Sequence, residues 1–317
     1  MKEVSAFVCV TPLQLYIARK IIEVEAITNY VLVNINPHDN IVLRNYYNRL
    51  AEGALESDFM IMNSRILGNY LKLKQATNKW KNYKITAIYA ASLPNVWVLH
   101  IINSYKSAKL YSFDDGAVNL SQLDEYWIVK PLKLKQRIAY FLLRRNMGID
   151  LAYPRIIKHY TIYDGHHNIV EKNRRHYLNL FDVPDTLNEK KDNIKVFLGF
   201  VPNQAKYYPA VKWVNPDIYL PHPMEKIRYP DVNYVYTNLI AEHYLLELLQ
   251  DYNEVELYAC GSSVLLNIDS PRIHKYVIDL YQGKCDLQNE YNNFAIKMGC
   301  EVLPFAYCSS TVVVPAN

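Results

Sequence analysis

The stretch VSAFVCVTPLQLYIARKIIE, Val4 to Glu23, decides how the rest of the chain is read. VSAFVCV is a short apolar run rich in β-branched residues, the pattern of a strand buried on both faces. Thr11 is placed to cap a helix, Pro12 suits its first position, and apolar residues then recur at helical spacing. A strand passing into a helix through so short a turn is a βα unit, which belongs in a parallel sheet. The same pattern returns in YVLVNI, FMIMNS, KITAIYAAS and AKLYSF, with helical stretches such as ILGNYLKLKQAT and NVWVLHIINSYK between them. Alternation of this kind predicts an α/β fold with helices covering both faces of the sheet.

The chain has 317 residues, enough for two domains of roughly 150 residues each. Asn168 to Asp192 is polar and charged with little periodicity and reads as a linker. A second alternating series follows it: IKVFLGF, DIYLPHP, TNLIAEHYLLELLQDY, VELYACGSSV, KYVIDLY and NEYNNFAIKMGCEVLPF. The expected organisation is a first domain over 1–165, a linker over 166–192 and a second domain over 193–317.

Composition excludes several classes. Half the residues are hydrophobic and 21% are charged, which does not fit extended disorder. The net charge is +4, with 35 basic and 31 acidic residues interspersed. The main basic cluster, Lys130 to Arg145, alternates Lys and Arg with Leu, Ile, Tyr and Phe. It reads first as a solvated face of an amphipathic helix and second as an attachment to the inner face of an anionic membrane. No nucleic-acid motif accompanies it. Cys9, Cys260, Cys285, Cys300 and Cys308 form an odd, scattered set, as expected of reduced thiols in the cytoplasm. The N-terminal apolar run is too short for a signal or a membrane span. The 28 tyrosines point to a polar-aromatic cleft or to biased usage.

In open parallel sheets ligands collect at the carboxyl ends of the strands, so polar loops there matter most. Four stand out: TPLQ, FDDG, PHP and GSS. Asp114 and Asp115 precede Gly116. DDG is an ordinary turn signal, yet after a strand it separates two carboxylates into an ionised anchor and a general base. His222 lies between Pro221 and Pro223, which fix the backbone on both sides of an imidazole able to meet a phosphate or give a proton. Gly261, Ser262 and Ser263 open a helix whose start offers amides and hydroxyls to an anion, or a simple cap.

Taken in this order, Asp114-Asp115-Gly116, His222-Pro223 and Ser262-Ser263 resemble the acidic-acidic-Gly, HP and Ser/Thr-rich motifs of bacterial lipooligosaccharide and capsule sialyltransferases of glycosyltransferase family 52. The opening TPLQLYIA is similar to that family's first strand and turn. The resemblance implies two Rossmann-like domains facing across a cleft, a GT-B fold. It also implies CMP-sialic acid as donor, bound mostly by the second domain, and inverting transfer without an essential metal or cofactor. The acceptor would be a terminal sugar, expected to be galactose, of a surface lipooligosaccharide or capsular glycan. The linkage, 2,3 or 2,6, stays open, and a homodimer is among the assemblies allowed.

On that footing Asp115 is the expected base, with Asp114 as its neighbour or substitute, and His222 is expected to bond or protonate the CMP phosphate. His222-Pro223, Gly261, Ser262 and Ser263 would form the donor site, and Glu242 would hold the ribose hydroxyls unless it is a solvated helix residue. Thr11, Gln14, Tyr89, Ser92 and Asn95 are candidates for the acceptor side. Some family members place an acid shortly before HP, where this chain has LGFVPNQAKYY and no carboxylate until Asp217. The base therefore stands between two segments. Rival readings are a transferase for another nucleotide-activated sugar, a metal-dependent phosphohydrolase using Asp114, Asp115 and His222, and a catalytically idle scaffold.

Overall fold

A computed structural model describes residues 1–62, 66–120, 152–180, 191–199 and 207–305. The chain divides into two compact units, Met1–Leu180 and Phe181–Asn317. The basic segment Lys130–Arg145 and Cys308 lie outside the described residues.

The first unit is built on a seven-stranded sheet of order β3-β2-β1-β4-β5-β6-β7. Its strands are β1 (Lys2–Cys9), β2 (Tyr30–Asn36), β3 (Glu56–Ile61), β4 (Tyr83–Ala90), β5 (Lys109–Phe113), β6 (Ile156–Thr161) and β7 (Arg175–Tyr177). All neighbouring pairs run parallel. β1 sits centrally, with Ala6, Phe7, Val8 and Cys9 fully buried, so its run is apolar on both faces. Helix α1 (Pro12–Val24) follows as expected, with the Thr11 hydroxyl accepting from the Gln14 N–H and Pro12 in the first turn. α2 (Ile41–Ala51), α3 (Ile66–Lys79) and α4 (Val96–Ser104) are further α-helices of this unit.

The second unit carries a five-stranded parallel sheet of order β12-β11-β10-β8-β9. Its elements are β8 (Ile194–Leu198), α5 (Tyr208–Val214), β9 (Ile218–Leu220), α6 (Ala241–Asp251), β10 (Val255–Ala259), α7 (Ser263–Asn267), β11 (Ile273–Asp279), α8 (Asp286–Lys297) and β12 (Glu301–Pro304). The fold is α/β throughout.

The stretch read as a linker is partly built into the first sheet. β7 pairs with β6, and Arg175 donates to the main-chain oxygens of His166, Asn168 and Val170 at 2.9, 3.2 and 2.5 Å. Its polar composition serves these bonds, which a hydrophobicity pattern does not register. The tyrosines likewise have a place. In-register parallel strands bring same-face rings within stacking distance, and Phe7–Tyr89 and Tyr89–Tyr111 stack at 4.6 and 4.7 Å. Phe197–Tyr219 and Tyr258–Tyr276 repeat the arrangement in the second unit at 5.7 and 4.8 Å. Tyr89 thus belongs to a buried ladder rather than to an acceptor loop.

The strand orders locate the sites. In the first sheet the direction of chain progression reverses between β1 and β4; in the second it reverses between β8 and β10. Crossovers diverge at such switch points and open a crevice at the carboxyl ends of the flanking strands.

Candidate active site

At the first switch point the loops after β1, β4 and β5 converge on Asp115. Gln14, in the first turn of α1 and fully buried, donates through Nε2 to Asp115 Oδ1 and, at 2.8 Å, to Ser92 Oγ. Its Oε1 accepts from the Val10 N–H at 2.6 Å, which fixes which end of the amide meets the carboxylate. Ser92, just past β4, donates through Oγ to Asp115 Oδ2 at 2.6 Å. The Asp115 main-chain N–H donates to Asn119 Oδ1 at 2.8 Å. Gly116 turns the chain at φ +66°, a region where a glycine carries no Cβ penalty. Asp115 remains partly exposed, with both carboxylate oxygens oriented.

Asp114 does the opposite work. It is fully buried, and its four acceptor positions are taken. Oδ1 meets His159 Nε2 at 2.9 Å and Asn168 Nδ2 at 3.2 Å. Oδ2 accepts from Thr161 Oγ1 and the Ile162 N–H, both at 2.8 Å. With the proton on Nε2, His159 donates to Asp114, and its Nδ1 accepts from the Ser112 hydroxyl 2.8 Å away. These partners come from β5, β6 and the loop that Arg175 holds. Asp114 is thereby out of reach of an acceptor hydroxyl and has no lone pair left for a cation, which corrects its expected place as a substitute base or metal ligand.

Of the other acceptor-side candidates, Thr11 caps α1 and Asn95 caps α4, accepting from the Trp97 N–H at 2.9 Å. Gln14 and Ser92 are the two that the fold brings to Asp115. His159 and Thr161 in β6 and Asn168 in the loop after it escape a reading by sequence because a polar residue looks solvent-facing until its tertiary partner is known.

In the second unit His222 follows β9, between Pro221 and Pro223. The Met224 N–H donates to its Nδ1 at 3.1 Å, so the neutral ring carries its proton on Nε2. Desolvation by surrounding protein atoms holds its pKa below the ordinary 6.5, although the residue is exposed. Glu242, in the first turn of α6, is 5% exposed and accepts from Asn267 Nδ2 at 2.7 Å. It is therefore no solvated helix residue; burial raises its pKa above 4.5 against the opposing pull of that bond.

The serine segment is less open to an anion than the motif implies. Ser262 Oγ caps α7 by accepting from the Val264 N–H at 3.3 Å, and its own N–H donates to the Tyr291 hydroxyl at 3.0 Å. Ser263, beside Gly261, keeps an exposed position. Among the described residues, no group of three His, Cys, Asp or Glu side chains is placed to hold a metal ion, and no helix is long and apolar enough to cross a membrane.

The family model of glycosyltransferase family 52 matches residues 32–281. The chain belongs to glycosyltransferase family 52. Among curated proteins, this family 52 enzyme is similar to the CMP-N-acetylneuraminate:beta-galactoside alpha-2,3-sialyltransferase of Pasteurella multocida. The two are 28% identical over 90% of this chain and 92% of the relative. N-acetyllactosaminide alpha-2,3-sialyltransferases of Haemophilus influenzae and Neisseria meningitidis are 27% and 25% identical over 83% and 87% of the chain, and 88% and 78% of the relatives. Among solved structures it resembles Glycyrrhiza uralensis UGT73P12 complexed with glycyrrhetinic acid 3-O-monoglucuronide (TM-score 0.51, 8% identity, 96% of this chain and 81% of the other). It also resembles a UDP-N-acetylglucosamine 2-epimerase (TM-score 0.50, 10% identity, 88% and 79%). The fold of this glycosyltransferase is of the GT-B class, with two Rossmann-like units.

Two outcomes follow for its carboxylates. Asp114→Asn turns an amide donor toward buried donors and lowers unfolding stability by about 1–3 kcal/mol, whereas Asp115→Asn, on a partly exposed side chain, lowers it less; chemical denaturation of both variants measures the difference. A raised folded-state pKa at Glu242 means that its contribution favours the fold below the unfolded value and is lost as pH rises through the folded value. Glu242→Gln should therefore match the wild type near pH 4 and melt no lower, or higher, at pH 7, as read by melting temperature across that range.

Proposed function

We propose that this glycosyltransferase is an inverting, metal-independent sialyltransferase. It moves sialic acid from CMP-sialic acid to a terminal galactose of a surface lipooligosaccharide or capsular glycan, forming a 2,3 linkage. The observation that carries the reading is the Asp115 carboxylate, gripped through both oxygens by Gln14 and Ser92 at a sheet switch point and still partly exposed. The activities for which the Pasteurella, Haemophilus and Neisseria relatives are named support the donor, the galactoside acceptor and the linkage.

In this mechanism the acceptor hydroxyl attacks the anomeric carbon of the sialyl group and passes its proton to Asp115. The bond from that carbon to the phosphate oxygen breaks as the new glycosidic bond forms on the opposite face, which inverts the centre. CMP leaves with the electron pair. A base must be aimed before the hydroxyl arrives, and two donors on a carboxylate achieve that. Nε2–H of His222 meets the charge that grows on the departing phosphate. A neutral imidazole whose Nδ1 is already engaged offers that donor without a prior change of tautomer. Glu242 accepts from the ribose hydroxyls, which gives a purpose to a carboxylate that burial makes costly. Ser263 contributes its hydroxyl to the phosphate, while Ser262 and Pro223 shape the two loops.

Calorimetric titration tests the donor. CMP is expected to bind more tightly than UMP, UDP or GDP, and equal affinities would remove the cytidine assignment. Transfer from CMP-sialic acid to a galactoside should persist in EDTA; its loss would return metal chemistry to the account. Asp115→Asn should reduce kcat by a factor on the order of 10²–10⁴, the usual size of a general-base contribution, with KM for the donor within a few-fold. Unchanged turnover would transfer the base to another residue.

A further inference from the structure

The loop that carries His222 is organised around a carboxylate that the HP motif does not include. Glu225 is 8% exposed. Its Oε2 accepts from the His222 N–H at 3.1 Å and its Oε1 from the Tyr219 hydroxyl at 2.9 Å. The Glu225 N–H in turn donates to the His222 carbonyl at 2.9 Å. His222 is thus tied to Glu225 through both of its main-chain polar groups. Proline on either side removes the neighbouring φ freedom.

The far wall of this arrangement is Gly199, at the end of β8. Its N–H donates to the Leu220 carbonyl at 2.8 Å, which draws the two strand ends together. A Cβ at Gly199 would overlap Glu225 Oε2 and lie 2.7 Å from the His222 nitrogen and 3.1 Å from Pro221 Cα. No side chain fits there, and the space it would fill is where the carboxylate sits. Tyr219 is fixed as well, stacked on Phe197 and set edge-on to Tyr229 at 5.9 Å. Burial, with the neighbouring Glu225 charge, drives its phenol far above the ordinary range, so it stays a donor.

We propose that Glu225 is a positioning residue for His222, acting through the His222 main-chain N–H, and that Gly199 provides the space this requires. The proposal rests on the reading of His222 as the donor to the CMP phosphate. Glu225 sets where the imidazole stands rather than its charge, since desolvation is what lowers the His222 pKa. The Met224 N–H that selects the Nε2–H tautomer belongs to the same turn, so freeing the turn frees the tautomer. A glutamine can keep both of these contacts: its oxygen accepts from the His222 N–H, and the Tyr219 hydroxyl turns to accept from its NH₂.

The test is ¹⁵N NMR of the His222 ring together with steady-state kinetics on Glu225→Leu, Glu225→Gln and Gly199→Ala in the full chain. In the wild type the neutral ring is expected as the Nε2–H tautomer, and CMP is expected to shift its Nε2 signal. Glu225→Leu and Gly199→Ala should both show mixed tautomers and a kcat reduced at least tenfold, with KM for the glycan acceptor little changed. Glu225→Gln should recover most of that loss and the single tautomer. Gly199→Ala keeps every functional group, so it reports displacement even where Glu225→Leu fails to fold. A wild-type tautomer and kcat in Gly199→Ala, or a Glu225→Gln variant as damaged as Glu225→Leu, would overturn the proposal. A His222 signal that CMP leaves unmoved in the wild type would overturn the phosphate role alone, and tautomer mixing in the variants would still carry the positioning of the ring.

Discussion

A carboxylate taken out of water needs donors on every side, and Asp114 collects them from separate parts of the chain: an imidazole and a hydroxyl on β6, a main-chain N–H just past it, and an amide from the loop that follows. Removing any one leaves a buried charge short of a partner, a loss usually larger than the net worth of the bond. The DDG turn, β6 and the 166–170 loop therefore hold one another in place. Asp115 inherits a fixed backbone from this, and Gln14 and Ser92 orient its side chain. The two adjacent carboxylates differ in environment: Asp114 is a buried hub for the fold, and Asp115 stays partly exposed.

What the sequence made legible was local. The strand from Val4, the Thr11 cap, Pro12 in the first turn and the alternation of apolar runs each depend on neighbours a few residues apart, and each is present. What stayed hidden depends on distant partners. His159 is 45 residues from Asp114, and Gln14 is 101 residues from Asp115. Glu242 stood between a ribose contact and a solvated helix position because its partner Asn267 lies on another helix. Ser262 looked available because nothing near it in sequence announces Tyr291. The polar run after residue 166 looked like a linker because hydrogen bonds made by Arg175 leave no trace in hydropathy.

The two units reach similar solutions by different means. Each presents its loops at a reversal in strand order, where crossovers part and polar groups gather without crowding. In the first unit the working side chain is held by other side chains. In the second, His222 is held largely through its main chain, by a carboxylate and by prolines.

Ser92 adopts φ +50°, a left-handed conformation that disfavours any residue bearing a Cβ by about 1–3 kcal/mol. Glycine would relieve that tension, yet it would remove the hydroxyl that grips Asp115. With Asp115 as the proposed base, the end of β4 is thus a place where robustness and reactivity compete for one atom, and variants chosen only for heat tolerance would be drawn toward silencing the enzyme there.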